Sequence, residues 1–162
     1  MSQKHTQAFW KGLWYVLFIF YLALLIHFTL LGDSMGRSVH NILHWNRQAF
    51  RQYLQQSMNL VPFTTIRLFI CAYRSGSLPI WSIVMNLLGN FMILMPVPFF
   101  ISVVFQKRHR WHTVLIAVFC VSLLIELLQL LLLAGSCDID DVILNVSGGM
   151  ASFAVLRRLG FS

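Results

Sequence analysis

The fold is decided by residues 111–133, WHTVLIAVFCVSLLIELLQLLLL, in which Glu126 is the only Asp, Glu, Lys or Arg. Because the hydrocarbon core of a bilayer is about 30 Å thick, a helix of roughly 20 apolar residues crosses it. Residues 12–31, 80–105 and 142–159 have a similar character. The last stretch is the shortest, since its cleanest run, 142–156, would rise only about 22 Å as a helix. The sequence predicts an all-α integral membrane protein with about four transmembrane helices in a single domain, residues 1–162.

The composition indicates the same class. Of the 162 residues, 58% are hydrophobic and 10% are charged, with a mean hydropathy of +0.73, which excludes an ordinary soluble domain. The first apolar run follows Lys4 and Lys11 as a secretory signal does, but it is too long and lacks a small-residue cleavage site, so we expect it to remain as an anchor.

The basic residues predict an orientation and a class of partner. Seven of the twelve Lys and Arg lie before residue 12, at 107–110 and at 157–158, which share one side of a four-helix topology, and five lie in the loop 32–79. By the positive-inside rule this bias places the N- and C-termini of a multi-pass cell-membrane protein in the cytoplasm. The net charge of +7 is divided between both sides and carries no basic aromatic motif. Anionic lipid headgroups, and not nucleic acid, are therefore the expected counterpart.

The loop 32–79 has a helical pattern of its own. An apolar face opposite polar residues predicts an amphipathic helix, which either lies on the membrane surface or packs over the bundle. After it, Pro62 favours an extended Val61 and ends any helix. Residues 66–73 are then expected to form a short re-entrant or interfacial segment. The apolar positions of the predicted helix are Ile42, Leu43, Trp45, Ala49, Phe50, Tyr53 and Leu54.

Polar side chains recur in the predicted helices at depths that agree. Asn86 and Asn90 are one turn apart on the predicted second helix, residues 80–105. Glu126 and Gln129 share a face of the predicted third helix, residues 111–133; residues 142–159 are the predicted fourth helix. With His27, Asn145 and the acids that precede helix four, they predict a polar pocket that opens outward. For Asn86 and Gln129, simple hydrogen bonding between helices is the favoured alternative. The predicted ligand-binding residues are Asn86, Asn90, Glu126, Gln129, Asp138, Asp140, Asp141 and Asn145.

Four of the five acidic residues lie between residues 126 and 141. Glu126 has no evident Lys or Arg partner, which is typical of a proton carrier or an acid at membrane depth. Asp138 or Asp140 is expected to cap helix four, although three acids in four residues exceed what a cap requires. A divalent cation held by Asp138, Asp140 and Asp141 is a minority hypothesis, since their spacing matches no complete calcium loop. If the protein is an enzyme, Glu126, Asp140 and Asp141 are the candidate catalytic residues.

Two smaller features lead to further expectations. Gly148 and Gly149 give helix four a face of small residues for close packing. Cys71 and Cys137 are both predicted on the outer side, which leaves a disulfide between them open.

Four motifs stand in a specific order and spacing: Asn59-Leu60-Val61-Pro62-Phe63 with Thr65-Ile66, Asn86-Leu87-Leu88-Gly89-Asn90 with Met95-Pro96, Glu126-Leu127-Leu128-Gln129, and Asp138-Ile139-Asp140-Asp141 with Asn145 and Gly148. Together they resemble the VanZ-like membrane proteins, a family named for resistance to the glycopeptide teicoplanin. Two departures stand out: Pro98 replaces a glycine that is usual in the family, and Gly135 replaces an arginine that usually precedes the acidic stretch. Loss of that arginine removes a counter-ion for the acids or for a phosphate.

The resemblance implies a cell-envelope protein linked to teicoplanin resistance. Its outer pocket is expected to bind, or to limit access of, a lipid-bearing glycopeptide or a lipid-linked cell-wall precursor, which requires no bond chemistry. The first alternative is a metal-assisted intramembrane enzyme that acts on a lipid-linked phosphate, with Glu126 as acid or base. The second is a transporter that uses Glu126 as proton carrier.

Overall fold

A computed structural model of the chain describes residues 3–31, 46–105 and 109–160, and this part is almost entirely helical. Two very short strands pair with each other in parallel. In chain order, the elements are α1 (Gln3–Ile26) with a π-helical turn (His27–Leu31), α2 (Arg47–Ser57), β1 (Met58–Asn59), α3 (Thr64–Arg74), α4 (Ile80–Ile93), α5 (Pro96–Phe105), α6 (Trp111–Leu131), β2 (Cys137–Asp138) and α7 (Ile139–Arg158).

Four helical stretches are long and apolar enough to cross a membrane, which confirms the predicted all-α membrane fold. They are Phe9–Leu31, Ile80–Val104, Trp111–Leu131 and Ile139–Arg158. In the first loop, α2 covers the second half of the predicted amphipathic helix, and its first half, residues 42–45, lies outside the described residues. The helix ends at Ser57, before Pro62 as expected, and the segment predicted at 66–73 is the helix α3.

The membrane-crossing stretch predicted over residues 80–105 is present as Ile80–Val104, but it consists of two helices, α4 and α5, with a break at residues 94–95. Pro96 lacks an N–H and cannot continue the hydrogen-bond ladder. The next donor, the amide of Val97, bonds to Leu94 O at 3.2 Å, so the carbonyl of Ile93 loses its helical partner. Tyr21 of α1 replaces it, since its hydroxyl donates to Ile93 O at 2.8 Å. Within a bilayer an unpaired carbonyl is costly, and this bond therefore stabilises the break.

The last helix, α7, is the centre of the bundle and packs against α4, α5 and α6. The predicted close packing of its glycines is confirmed. A β-carbon on Gly148 would lie 2.7 Å from the carbonyl carbon of Phe91 and closer still to the carbonyl oxygen. A β-carbon on Gly149 would lie 2.7 Å from Val118 Cγ1. Only glycine lets the backbones of α7 and α4 approach this closely.

The predicted start of the last helix also requires correction. The helix begins at Ile139, three residues before the predicted Val142, because Asp138 is its N-cap. Before it, α6 ends at Leu131, and Leu133 adopts a left-handed conformation with φ 54° in the connection to β2. We call the end of the bundle at which α6 ends and α7 begins the acidic end, residues 126–141.

Candidate functional site

The acidic end is joined to the first loop by the two short strands. Met58 pairs with Cys137, and Asn59 pairs with Asp138. This pairing brings the residues after β1 against the first turn of α7. Asp138 and Asp140 are buried there, with exposed fractions of 5% and 1%.

The carboxylate of Asp140 binds the start of α3. Its Oδ1 accepts from the amide of Phe63 at 2.5 Å, and its Oδ2 accepts from the amides of Thr65 at 2.8 Å and Ile66 at 3.3 Å. Phe63 is the N-cap of α3 but makes no side-chain capping bond, so Asp140 performs this role from a distant part of the chain. A carboxylate also complements the positive end of the helix. The primary role of Asp140 in this geometry is to hold α3 on α7.

The carboxylate of Asp138 has two further tasks in the same contact. Its Oδ1 accepts from the amide of Asp140 at 2.9 Å, which confirms the predicted cap of the last helix. The same oxygen accepts from Asn59 Nδ2 at 3.0 Å, and Oδ2 accepts from Thr65 Oγ1 at 2.5 Å. Sequence reasoning quoted Asn59 and Thr65 within a motif but missed their role, since no local pattern pairs them with an acid more than 70 residues away.

Glu126 belongs to the same buried group. Its side chain is 2% exposed, and its Oε2 accepts from the amide of Asp138 at 2.9 Å. Glu126 therefore links α6 to the beginning of α7. Gln129, one turn further along α6, points to another neighbour and donates to Thr29 O at 2.9 Å. This is the interhelical hydrogen bond that the alternative for Gln129 predicted.

Asp141 is in a different situation from the other acids. It is half-buried in the first turn of α7, and within the described residues its hydrogen-bond partner is one side chain, Asn90 of α4, whose Nδ2 donates to Oδ1. Asn86 lies one turn before Asn90 and is exposed. The two predicted asparagines therefore differ in exposure: Asn90 contacts Asp141, and Asn86, one turn earlier on α4, is exposed.

Asn145 extends the polar contacts one turn deeper than Asp141. Its Nδ2 donates to Ser122 Oγ at 3.0 Å, and both residues are buried, at 2% and 0% exposed. Its Oδ1 has no hydrogen-bond partner within the described residues. Sequence reasoning missed Ser122, although its position four residues before Glu126 places it on the same face of α6.

Two other predicted features lie apart from this group. His27 is exposed at the start of the π-helical turn. Cys71 and Cys137 are both free, Cys71 being exposed and Cys137 buried, so the disulfide left open by the sequence is not formed. Burial, together with the negative charges of Glu126 and Asp138, raises the pKa of the Cys137 thiol.

The hypothesis of a divalent cation remains a prediction. Asp138 and Asp140 direct their oxygens to donors of the chain itself, and within residues 3–31, 46–105 and 109–160 no group of three or more His, Cys, Asp or Glu is arranged to hold a metal.

At Gly135, which stands where the resembling family has an arginine, a β-carbon would lie 3.5 Å from the side chain of Gln129. This is ordinary van der Waals contact, so the position has room for a β-carbon.

Four membrane-crossing stretches, the helix break at Pro96 and buried acids bonded to the first loop define a polytopic membrane protein with a polar, acidic end. The family comparison identifies it further: a model described as VanZ/LLP1 matches residues 18–160, and the chain belongs to this family. Membership supports a cell-envelope membrane protein linked to glycopeptide resistance. Comparison with curated proteins and with solved structures found no match.

Proposed function

We propose that the protein binds the polar part of a lipid-bearing ligand at Asp141, Asn90 and Asn86, and so limits access of a lipoglycopeptide or of a lipid-linked cell-wall precursor. The termini are cytoplasmic in this proposal, which places the acidic end on the outer side of the membrane. The observation that carries it is that Asp141 is half-buried and accepts from one side-chain amide, whereas the other three acids are buried and accept from backbone amides.

Three of the four acids at the acidic end accept hydrogen bonds from backbone amides of the chain itself. Asp138 and Asp140 accept several hydrogen bonds from the first loop and from α7, and Glu126 is bonded to the backbone of β2. Asp141 accepts from a single neutral amide and keeps part of its surface free. Ionisable groups within a membrane-crossing helix are costly, by about 2.5 to 3.5 kcal/mol at the bilayer centre and less towards its ends, and commonly serve function. Asp141 is thus the acid best placed to meet a ligand.

The surface of α4 beside Asp141 is suited to an amphipathic molecule. Asn86 and Asn90 form a polar strip along the helix, one turn apart. Met85, Leu88 and Met92 on the same helix are 51%, 49% and 58% exposed. The side-chain amides of Asn86 and Asn90 and the carboxylate of Asp141 can form hydrogen bonds with sugar, peptide or amine groups. The exposed apolar side chains can pack against an acyl chain. Teicoplanin and lipid-linked precursors both combine these two parts.

The proposal is tested by antibiotic susceptibility of cells that express the wild type or Asp141→Asn at matched membrane abundance. Vancomycin, which lacks the acyl chain, is the comparison drug. Asparagine keeps the size of the side chain and removes the charge. We expect the wild type to protect selectively against teicoplanin and the Asp141→Asn variant to lose most of this protection.

Asp140→Asn is the matched control, since it removes the same charge one residue earlier. We expect it to lower the amount of folded protein, with protection per molecule retained. If Asp141→Asn protects as well as the wild type, the assigned site is wrong. If the wild type protects against neither drug, the proposed ligand class is wrong.

A further inference from the structure

The opposite end of the bundle, where α6 begins and α7 ends, contains a cavity of about 420 Å³. We call it the basic end, residues 109–114 and 150–160. Arg157 and Arg158 line the cavity together with Trp111, and the inner wall is apolar. The remaining lining residues are Met150, Phe153 and Ala154. This end shares no residue with the proposed outer site.

The position of the cavity corresponds to a membrane interface. Trp111 is the first residue of one membrane-crossing stretch, and Arg158 is the last residue of another. Trp is enriched at the headgroup level, where its ring and its N–H meet apolar and polar surroundings. Trp111 is 55% exposed, whereas Phe153, which lines the same cavity, is 3% exposed. The cavity therefore combines exposed basic side chains with a buried apolar lining, like the boundary between lipid headgroups and acyl chains.

The two arginines lack an internal counter-ion in the described part of the chain. Both are exposed, and the acids of this part, which lie at residues 126–141, belong to the acidic end. From Arg157 to Asp141 the distance along α7 is about 24 Å, which is far too long for an ion pair. The C-terminal end of a helix favours cations, which explains why two arginines lie at the end of α7. It does not explain why they line a cavity. Two guanidinium groups at a cavity rim are suited to bind a phosphate through paired hydrogen bonds.

We propose that the basic end binds an anionic phospholipid of the adjoining leaflet, with the phosphate held by Arg157 and Arg158 and the upper acyl chain packed on Phe153. Basic pockets between membrane helices on one side of a bilayer are suited to such headgroups. Trp111, the first residue of α6, lines this cavity, so the positive end of α6 lies beside the same anion.

The test is native mass spectrometry of the full chain in detergent, titrated with dioleoyl-phosphatidylglycerol, with dioleoyl-phosphatidylcholine, or with inorganic phosphate. We expect retained adducts of phosphatidylglycerol and few of phosphatidylcholine. Arg157→Gln/Arg158→Gln is expected to weaken phosphatidylglycerol binding about 30-fold, which corresponds to about 2 kcal/mol for two basic residues at a membrane surface. The single variant Arg158→Gln serves if the double variant does not fold.

Arg67→Gln/Arg74→Gln is the matched control, because it removes two exposed charges from α3 in the first loop. We expect this variant to bind phosphatidylglycerol as the wild type does. Equal losses in the two double variants would show that net charge alone attracts the lipid and would overturn the site. Equal retention of phosphatidylcholine would overturn the role of the anion. If inorganic phosphate at millimolar concentration displaced the lipid completely, the ligand would be a free anion and the lipid assignment would be wrong.

Discussion

Replacing Gly148 by alanine should separate α7 from α4. The new β-carbon would lie 2.7 Å from the carbonyl carbon of Phe91, whereas carbon atoms pack at about 3.5 to 4.0 Å. The backbones must therefore move apart by about 0.8 Å or more, and the obstacle is main chain that cannot rotate away. Because Asn90 precedes Phe91, the same movement is expected to weaken its bond to Asp141.

The size of the effect follows from two opposing terms. Alanine gains about 1 kcal/mol over glycine in helix propensity. Overpacking a close contact costs typically 1 to 3 kcal/mol, and a clash with backbone belongs at the upper limit. Gly148→Ala should therefore be less stable than the wild type by about 2 kcal/mol. At Gly89 on α4, a β-carbon meets nothing within 4 Å. Gly89→Ala should therefore be more stable than the wild type by about 1 kcal/mol, the difference in helix propensity. The two variants should differ by about 3 kcal/mol.

The assay is the thermal unfolding midpoint of detergent-purified protein, followed by intrinsic fluorescence, together with the yield of monodisperse protein. We expect Gly148→Ala to unfold at a clearly lower temperature than both the wild type and Gly89→Ala. Equal midpoints for the two alanine variants would refute the close approach of α7 to α4, and with it the assignment of Gly148 as a packing residue.

Three further substitutions or modifications test the contacts described above. Asp140→Asn should lower stability by about 2 to 3 kcal/mol, since hydrogen bonds to charged groups are worth about 1.5 to 3 kcal/mol; limited proteolysis should then cut the segment between α2 and α3 faster, and an unchanged rate would contradict the capping role. Tyr21→Phe should cost about 1 kcal/mol, because it leaves the carbonyl of Ile93 unpaired within the membrane; a thermal midpoint equal to that of the wild type would mean that another donor serves this carbonyl. A water-soluble maleimide at pH 7 should label Cys71 rapidly and Cys137 slowly, because burial raises the pKa of the Cys137 thiol and lowers its thiolate fraction, so its labelling should increase as the pH rises or when denaturant is added; equal labelling rates at pH 7 would show that Cys137 is not buried.

The membrane-crossing stretches could be predicted from sequence because length and hydropathy alone determine them. Several boundaries differ in detail, and three of the differences go with a local feature. Pro96 breaks the second stretch, Asp138 starts the last helix earlier by capping it, and the left-handed Leu133 follows an earlier end of α6. The Met95-Pro96 pair was visible in the sequence, but a proline within an apolar run is compatible with either a kink or a break.

The arrangement of the polar residues could be predicted only in part. Depth along each helix follows from the rise per residue, and Glu126, Asp141 and Asn145 do lie together near the acidic end. What the acids bind could not be predicted, because their partners are backbone amides and small polar groups of the first loop. Such contacts depend on how the loop folds over the bundle, and no periodic pattern reports them.

The bond between the first loop and α7 constrains the order of assembly. The donors of residues 59–66 precede the carboxylates of Asp138 and Asp140 by 73 to 79 residues. During synthesis the loop therefore emerges long before its partners. Its amides stay bonded to water until the two stretches that separate it from Asp138, Ile80–Val104 and Trp111–Leu131, have entered the bilayer. The loop can dock only after the connection between α6 and α7 has reached the same side of the membrane. A chain truncated before residue 138 should insert its first helices normally and leave this loop accessible to protease.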